Sequence, residues 1–182
     1  MTDNRYTIKC FGYSLIELLV VISIIIILSG IGIANYIDVN RTQEVAQQSK
    51  KIFDNLRYAQ SLANNNQKVD ECLVPYPTTT PSGPITYPLL NGYKYTIASG
   101  VQTIKPVCSN LDKTAIKTEN IYPNMTVTGI SQVFFKVLWQ PSVITGGSII
   151  TVTAYGKSRY ITVCPSGEIT YSELSPIPTP CP

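Results

Sequence analysis

Over 13–34 the chain is apolar at almost every position, and Glu17 is the only charged residue there. About 20 apolar residues at ~1.5 Å each reach across the ~30 Å hydrocarbon core of a bilayer, so the pattern predicts a membrane-spanning helix over 13–34. An ionised carboxylate in such a helix costs roughly 2.5 to 3.5 kcal/mol at mid-bilayer unless it is paired, so Glu17 calls for a partner. At Asn35 the pattern turns polar while a helical period persists to Lys68. Val45, Ser49, Ile52, Leu56, Ala59 and Ala63 recur at steps of three and four, and Phe53 and Leu62 widen the stripe. Gln47, Gln48, Lys50, Lys51, Asp54 and Arg57 fall mostly away from it. These positions predict an amphipathic helix over 35–68 that covers a sheet, ended by Asn64-Asn65-Asn66. Gly30 and Gly32 either soften the rod or let another helix approach closely.

Beyond the helix, Pro75, Pro77, Pro81, Pro84 and Pro88 make 73–92 an exposed loop, because neither a helix nor a central strand tolerates that density of proline. Short β-branched and aromatic runs follow at 93–97, 101–107, 115–121, 126–130, 133–139, 148–155, 159–164 and 168–171. Ser99-Gly100, Gly156-Lys157-Ser158 and Pro165-Ser166-Gly167 punctuate them, which predicts antiparallel hairpins over 93–182. The fold class is therefore α+β: a long amino-terminal helix, half membrane-spanning and half amphipathic, packed on an antiparallel β-sheet domain. Trp139 and the tyrosines are assigned to core and sheet faces.

Charge adds little. The formal net charge is +3, and without 1–12, which holds Asp3, Arg5 and Lys9, it is +2, too mild to imply a nucleic-acid partner. Arg5 and Lys9 before the apolar run place that end on the cytoplasmic side and the bulk of the chain outside. An ordinary signal peptide would use the same basic start with Gly32-Ile33-Ala34 as its cleavage site, and a plain anchor would need only the length; neither accounts for Glu17.

The chain has no His, so a Ser or Cys nucleophile would lack its usual base, and no catalytic residue is assigned. Gly146-Gly147 precedes a strand and is no phosphate loop. Cys10 lies in the leader, which leaves Cys72, Cys108, Cys164 and Cys181 in an exported domain. Their spacing lacks a Cys-x-x-Cys pair, so no metal or other cofactor is expected and two disulfides are. Three pairings are open. Cys72 with Cys108 and Cys164 with Cys181 is preferred, since each bridge would close a Pro-rich irregular segment.

Gly12, Tyr13 and Glu17, followed by Leu18-Leu19-Val20-Val21-Ile22, resemble the amino-terminal signature of type IV prepilins, in which a basic leader ends in Gly, usually followed by Phe, with Glu four residues further on. The resemblance covers 10–34 closely and the helix to Lys68 more loosely. It implies a leader over 1–12, cleavage between Gly12 and Tyr13 by a prepilin peptidase, and methylation of the new Tyr13 amine. It also implies that Glu17 pairs with the Tyr13 ammonium of a neighbouring subunit during assembly. Segments 55–63 and 164–169 are similar to H-class minor pilins and pseudopilins. The resemblance implies a structural subunit of a type IV pilus-like filament. Its partners are copies of itself or related pilins, the peptidase, an inner-membrane assembly platform, and lipid before assembly. The expected location is the bacterial inner membrane, with the carboxy-terminal domain outside the cytoplasm, and then an extracellular or periplasmic filament. A type II secretion pseudopilin and a pilus-tip module for DNA uptake or adhesion are the alternatives. The tail over 175–182 carries no basic patch, which disfavours DNA.

Overall fold

One helix carries both the apolar run and the amphipathic stripe: α1 (Leu15–Asn64) continues unbroken through Gly30 and Gly32. The computed structural model describes residues 12–67, 69–73, 89–109, 111–138, 141–173 and 181, with backbone alone at 30–35, 71 and 73. The leader over 1–11 with Arg5, Lys9 and Cys10, the loop over 74–88, Trp139 and the tail over 174–180 lie outside the described residues. The chain divides into two units, 1–40 and 41–182. Among the described residues no helix is long and apolar enough to cross a membrane; described side chains in the apolar run end at Ser29, so the membrane-spanning half expected over 13–34 is not shown.

In the second unit, α1 buries Val45, Ile52, Leu56, Ala59, Leu62 and Ala63. Full burial of a side chain such as Ile52 or Leu56 is worth about 1.5–3 kcal/mol, so this stripe is what fastens the helix to the sheets. Gln48 departs from its expected outward placement and is fully buried. It lies three residues after Val45 and four before Ile52, the spacing of a shared helix face, and its amide finds no hydrogen-bond partner among the described residues. Helix α1 also ends at Asn64, short of the expected Lys68. Asn66 takes a left-handed φ of 46°, its N–H donates to the Ala63 carbonyl at 3.1 Å, and the Gln67 N–H reaches back to Leu62 at 3.1 Å. This is a Schellman closure with Asn in the place usually held by Gly. A short α2 (Asp70–Leu73) follows.

Among the described residues, ten strands form two antiparallel sheets. The first has the order β3-β2-β1-β6-β7, from β1 (Leu90–Ala98), β2 (Val101–Cys108), β3 (Leu111–Asp112), β6 (Gln132–Lys136) and β7 (Val143–Thr145). Strand β4 (Lys117–Asn120) pairs with the outer edge of β2, next to β3. The second has the order β10-β9-β8-β5, from β5 (Thr126–Gly129), β8 (Ile149–Ala154), β9 (Lys157–Val163) and β10 (Ile169–Ser172).

Register aligns the inward rows. Tyr95 lies opposite both Ile104 and Val133, and Ile150 opposite Ile161, so apolar side chains from both sheets join the helix stripe in one core. At Gly92, where β1 shifts register, a Cβ would collide with the Phe135 carbonyl oxygen. Two-residue turns close β1–β2 at Ser99-Gly100 (φ 52° and 74°) and β8–β9 at Tyr155-Gly156 (φ 53° and 73°). Both pairs of positive φ match the type I′ geometry that fits the strand twist. The second turn is thus shorter than the expected 156–158, and Lys157 and Ser158 belong to β9.

Candidate functional site

Gly12, Tyr13 and Ser14 precede α1 and are exposed. Nothing in the fold requires glycine at 12: its φ is not positive, and an added Cβ would meet nothing within 4 Å. Ser14 is the helix N-cap. Its Oγ accepts the Glu17 N–H at 3.3 Å, and its carbonyl accepts the N–H groups of Glu17 and Leu18 at 3.1 and 3.2 Å. Ser14 and Glu17 have the Ser-x-x-Glu spacing of a capping box, of which the Ser14 half is formed, and the carboxylate sits in the first turn, where the helix dipole favours negative charge. Hydrophobic periodicity overlooks Ser14; the signal that finds it is Ser followed three residues later by Glu ahead of an apolar run.

Past this cap, over 15–29, the helix is exposed on every side and, apart from Glu17, Ser23 and Ser29, apolar. Fractional exposure of its large apolar residues over 15–28 runs from 45% at Val21 to 81% at Leu15. A surface helix of a water-soluble domain shows an apolar stripe and a polar face; this one has no polar face, and its Ser23 hydroxyl turns inward to the Leu19 carbonyl at 2.8 Å.

The four described cysteines lie in the second unit. Cys72 of α2 is joined to Cys108 at the end of β2, and Cys164, just after β9, to Cys181. Among the described residues no group of three or more His, Cys, Asp or Glu could hold a metal ion.

A polar clasp joins α1 to the edge of the first sheet. Because Glu119 pairs with Gln102 and Lys117 with Ile104 across β2–β4, both charged side chains share the inward face of the sheet. There the buried Asn55 donates to Glu119 at 2.9 Å and accepts from Lys117 Nζ at 2.7 Å. Lys51 and Lys117 both lie 3.5 Å from the carboxylate. Gln102 donates to Glu119 at 3.2 Å and accepts from the Tyr95 hydroxyl at 2.9 Å. Burial pushes the Glu119 carboxyl up, but the Asn55 amide and then the Lys117 and Lys51 ammoniums outweigh it, and the group titrates below the ordinary carboxylate range. Burial, seconded by the Glu119 charge, pushes the Tyr95 hydroxyl far up. The clasp is structural: its groups satisfy one another.

Compared with family models, with curated proteins and with solved structures, the chain matches none.

Proposed function

We propose that the chain is a structural subunit of a type IV pilin-like filament, processed between Gly12 and Tyr13 and assembled through the apolar half of α1. The observation that carries the reading is the all-round exposure of large apolar side chains over 15–28, interrupted only by Glu17 and Ser23. Such a surface is stable in lipid or within a bundle of like helices, and the same stretch serves both if the subunit passes from the inner membrane into a filament. In the sequence the apolar run continues to Ala34, about 33 Å of helix from Tyr13, enough to span a bilayer.

Cleavage after Gly12 creates a new ammonium at Tyr13, four residues before Glu17. Inside an apolar bundle the Glu17 carboxylate pairs with that ammonium on a neighbouring subunit, because a lone buried charge is far costlier than a paired one. The pair selects one register among many that packing alone would allow. The Ser14 cap starts the helix at Leu15 and so sets where Glu17 stands relative to the cut end. The domain over 41–182 is then displayed outside the cytoplasm, where its disulfides are retained.

Intact mass spectrometry of membrane-extracted protein tests the reading. The expected mass lacks 1–12 and carries one added methyl. A chain that starts at Asn35 would identify an ordinary signal peptide and overturn it.

A further inference from the structure

We infer that the second unit carries a saccharide-binding groove, lined by Glu44, Gln47, Tyr122, Asn124, Met125 and Tyr155. This inference does not rest on the filament reading. The groove has a volume of about 300 Å³, at the small end of the range for ligand sites. Three elements build it: the first turns of α1 in this unit, the turn between β4 and β5 closed by the Met125 N–H to the Tyr122 carbonyl at 3.0 Å, and the β8–β9 turn.

Tyr122 and Tyr155 are 47% and 42% exposed, so two aromatic rings stand at one groove without being used in the core. Tyr155 occupies the first position of a type I′ turn with φ 53°, a backbone region in which Asn or Gly is at ease and a bulky ring is an outlier. The turn places that ring where the Arg41 guanidinium lies 5.1 Å from its centroid, which holds it against the groove. Strain of this kind is tolerated where the side chain has a task.

The polar groups narrow the ligand class. Glu44 is half-buried, and its carboxylate has no hydrogen bond or ion pair among the described residues; the amides of Gln47 and Asn124 supply both donors and acceptors. The lining itself contains one carboxylate and no Lys or Arg, and the nearby Arg41 guanidinium is engaged over the Tyr155 ring, which argues against phosphate or an acidic polymer. A ligand that offers a flat C–H face to tyrosine rings and hydroxyls to a carboxylate and amides is a neutral sugar ring.

The test uses the full chain in a sugar-free zwitterionic detergent. Saturation-transfer NMR is run against methyl glycosides of glucose, galactose, mannose and N-acetylglucosamine and against their β-linked disaccharides at millimolar concentration. At least one is expected to receive saturation at its ring protons. Tyr155→Asn, which suits the turn, and Tyr122→Ala are each expected to weaken that binding about tenfold or more with melting behaviour unchanged. Tyr58→Ala, a comparably exposed ring elsewhere on the unit, is expected to leave binding as it is. The inference is overturned if no sugar of the panel binds the folded chain, or if binding survives both groove variants or falls equally in Tyr58→Ala.

Discussion

Asn55 offers the most direct test of how α1 is fastened to the first sheet. It is 3% exposed, donates to Glu119 and accepts from Lys117, so Asn55→Ala removes two hydrogen bonds to charged partners at once. Bonds of that kind contribute about 1.5–3 kcal/mol each when fully buried. Here the Glu119 and Lys117 side chains are 22% and 38% exposed, which screens them and brings each bond nearer ~1 kcal/mol. The expected loss is about 2 kcal/mol, or a fall in Tm of roughly 4–8 °C for a domain of this size. The assay is thermal unfolding of the full chain in detergent micelles by near-UV circular dichroism, with Glu119→Gln and the double variant completing a cycle. The coupling between the two sites is expected at about 1 kcal/mol, since both substitutions break the same bond. Acidity supplies a second readout. Glu119 titrates lower in the folded than in the unfolded chain, so its contribution is present above the unfolded value of about 4.3 and is lost as pH falls through the folded one. That acid-side loss is expected to shrink in Asn55→Ala. Strictly additive single variants with an unchanged acid limb would refute the clasp as a coupled unit.

The bridges Cys72–Cys108 and Cys164–Cys181 close separations of 36 and 17 residues, for which loop entropy gives about 3.8 and 3.1 kcal/mol. Removing the first pair by Cys→Ser at both positions is expected to lower Tm more than removing the second, and thiol alkylation of protein from its native compartment is expected to label neither pair; four free thiols would contradict it. Glu17→Ala and Glu17→Gln are expected to be exported, cleaved after Gly12 and oxidised, yet absent from sheared filaments. Recovery of either variant at wild-type abundance would remove Glu17 from the assembly contact.

Much of the fold is legible from the alternation of residues. Tyr93 and Tyr95 point inward between Lys94 and Thr96, a two-residue period that no helix explains, and Ser99-Gly100 marks the turn to β2. The stripe from Val45 to Ala63 is likewise readable, because burial on one side of a helix imposes steps of three and four. Strands β3 and β7 are not readable in this way: two and three residues are too few to show a period, and only register against β2 and β6 makes them strands. Gln48 and Asn55 are polar in type and buried in place, a contrast set by what lies across from them. For Asn55 that is Glu119, 64 residues away in sequence, and its charge environment exists only once β4 is laid on β2. The groove is a product of tertiary structure in the same sense, since Glu44, Tyr122 and Tyr155 meet only through three separate elements.

The candidate assembly segment is the opposite case. Gly12, Tyr13, Glu17 and the apolar run that follows are identified by order and spacing alone, and the tertiary structure adds to them only the Ser14 cap and the exposure of the helix. That segment is readable from the sequence by itself because the surroundings proposed to stabilise it, lipid or like helices, would lie outside the chain. Tertiary structure decided the clasp and the groove because their interacting groups are all within it.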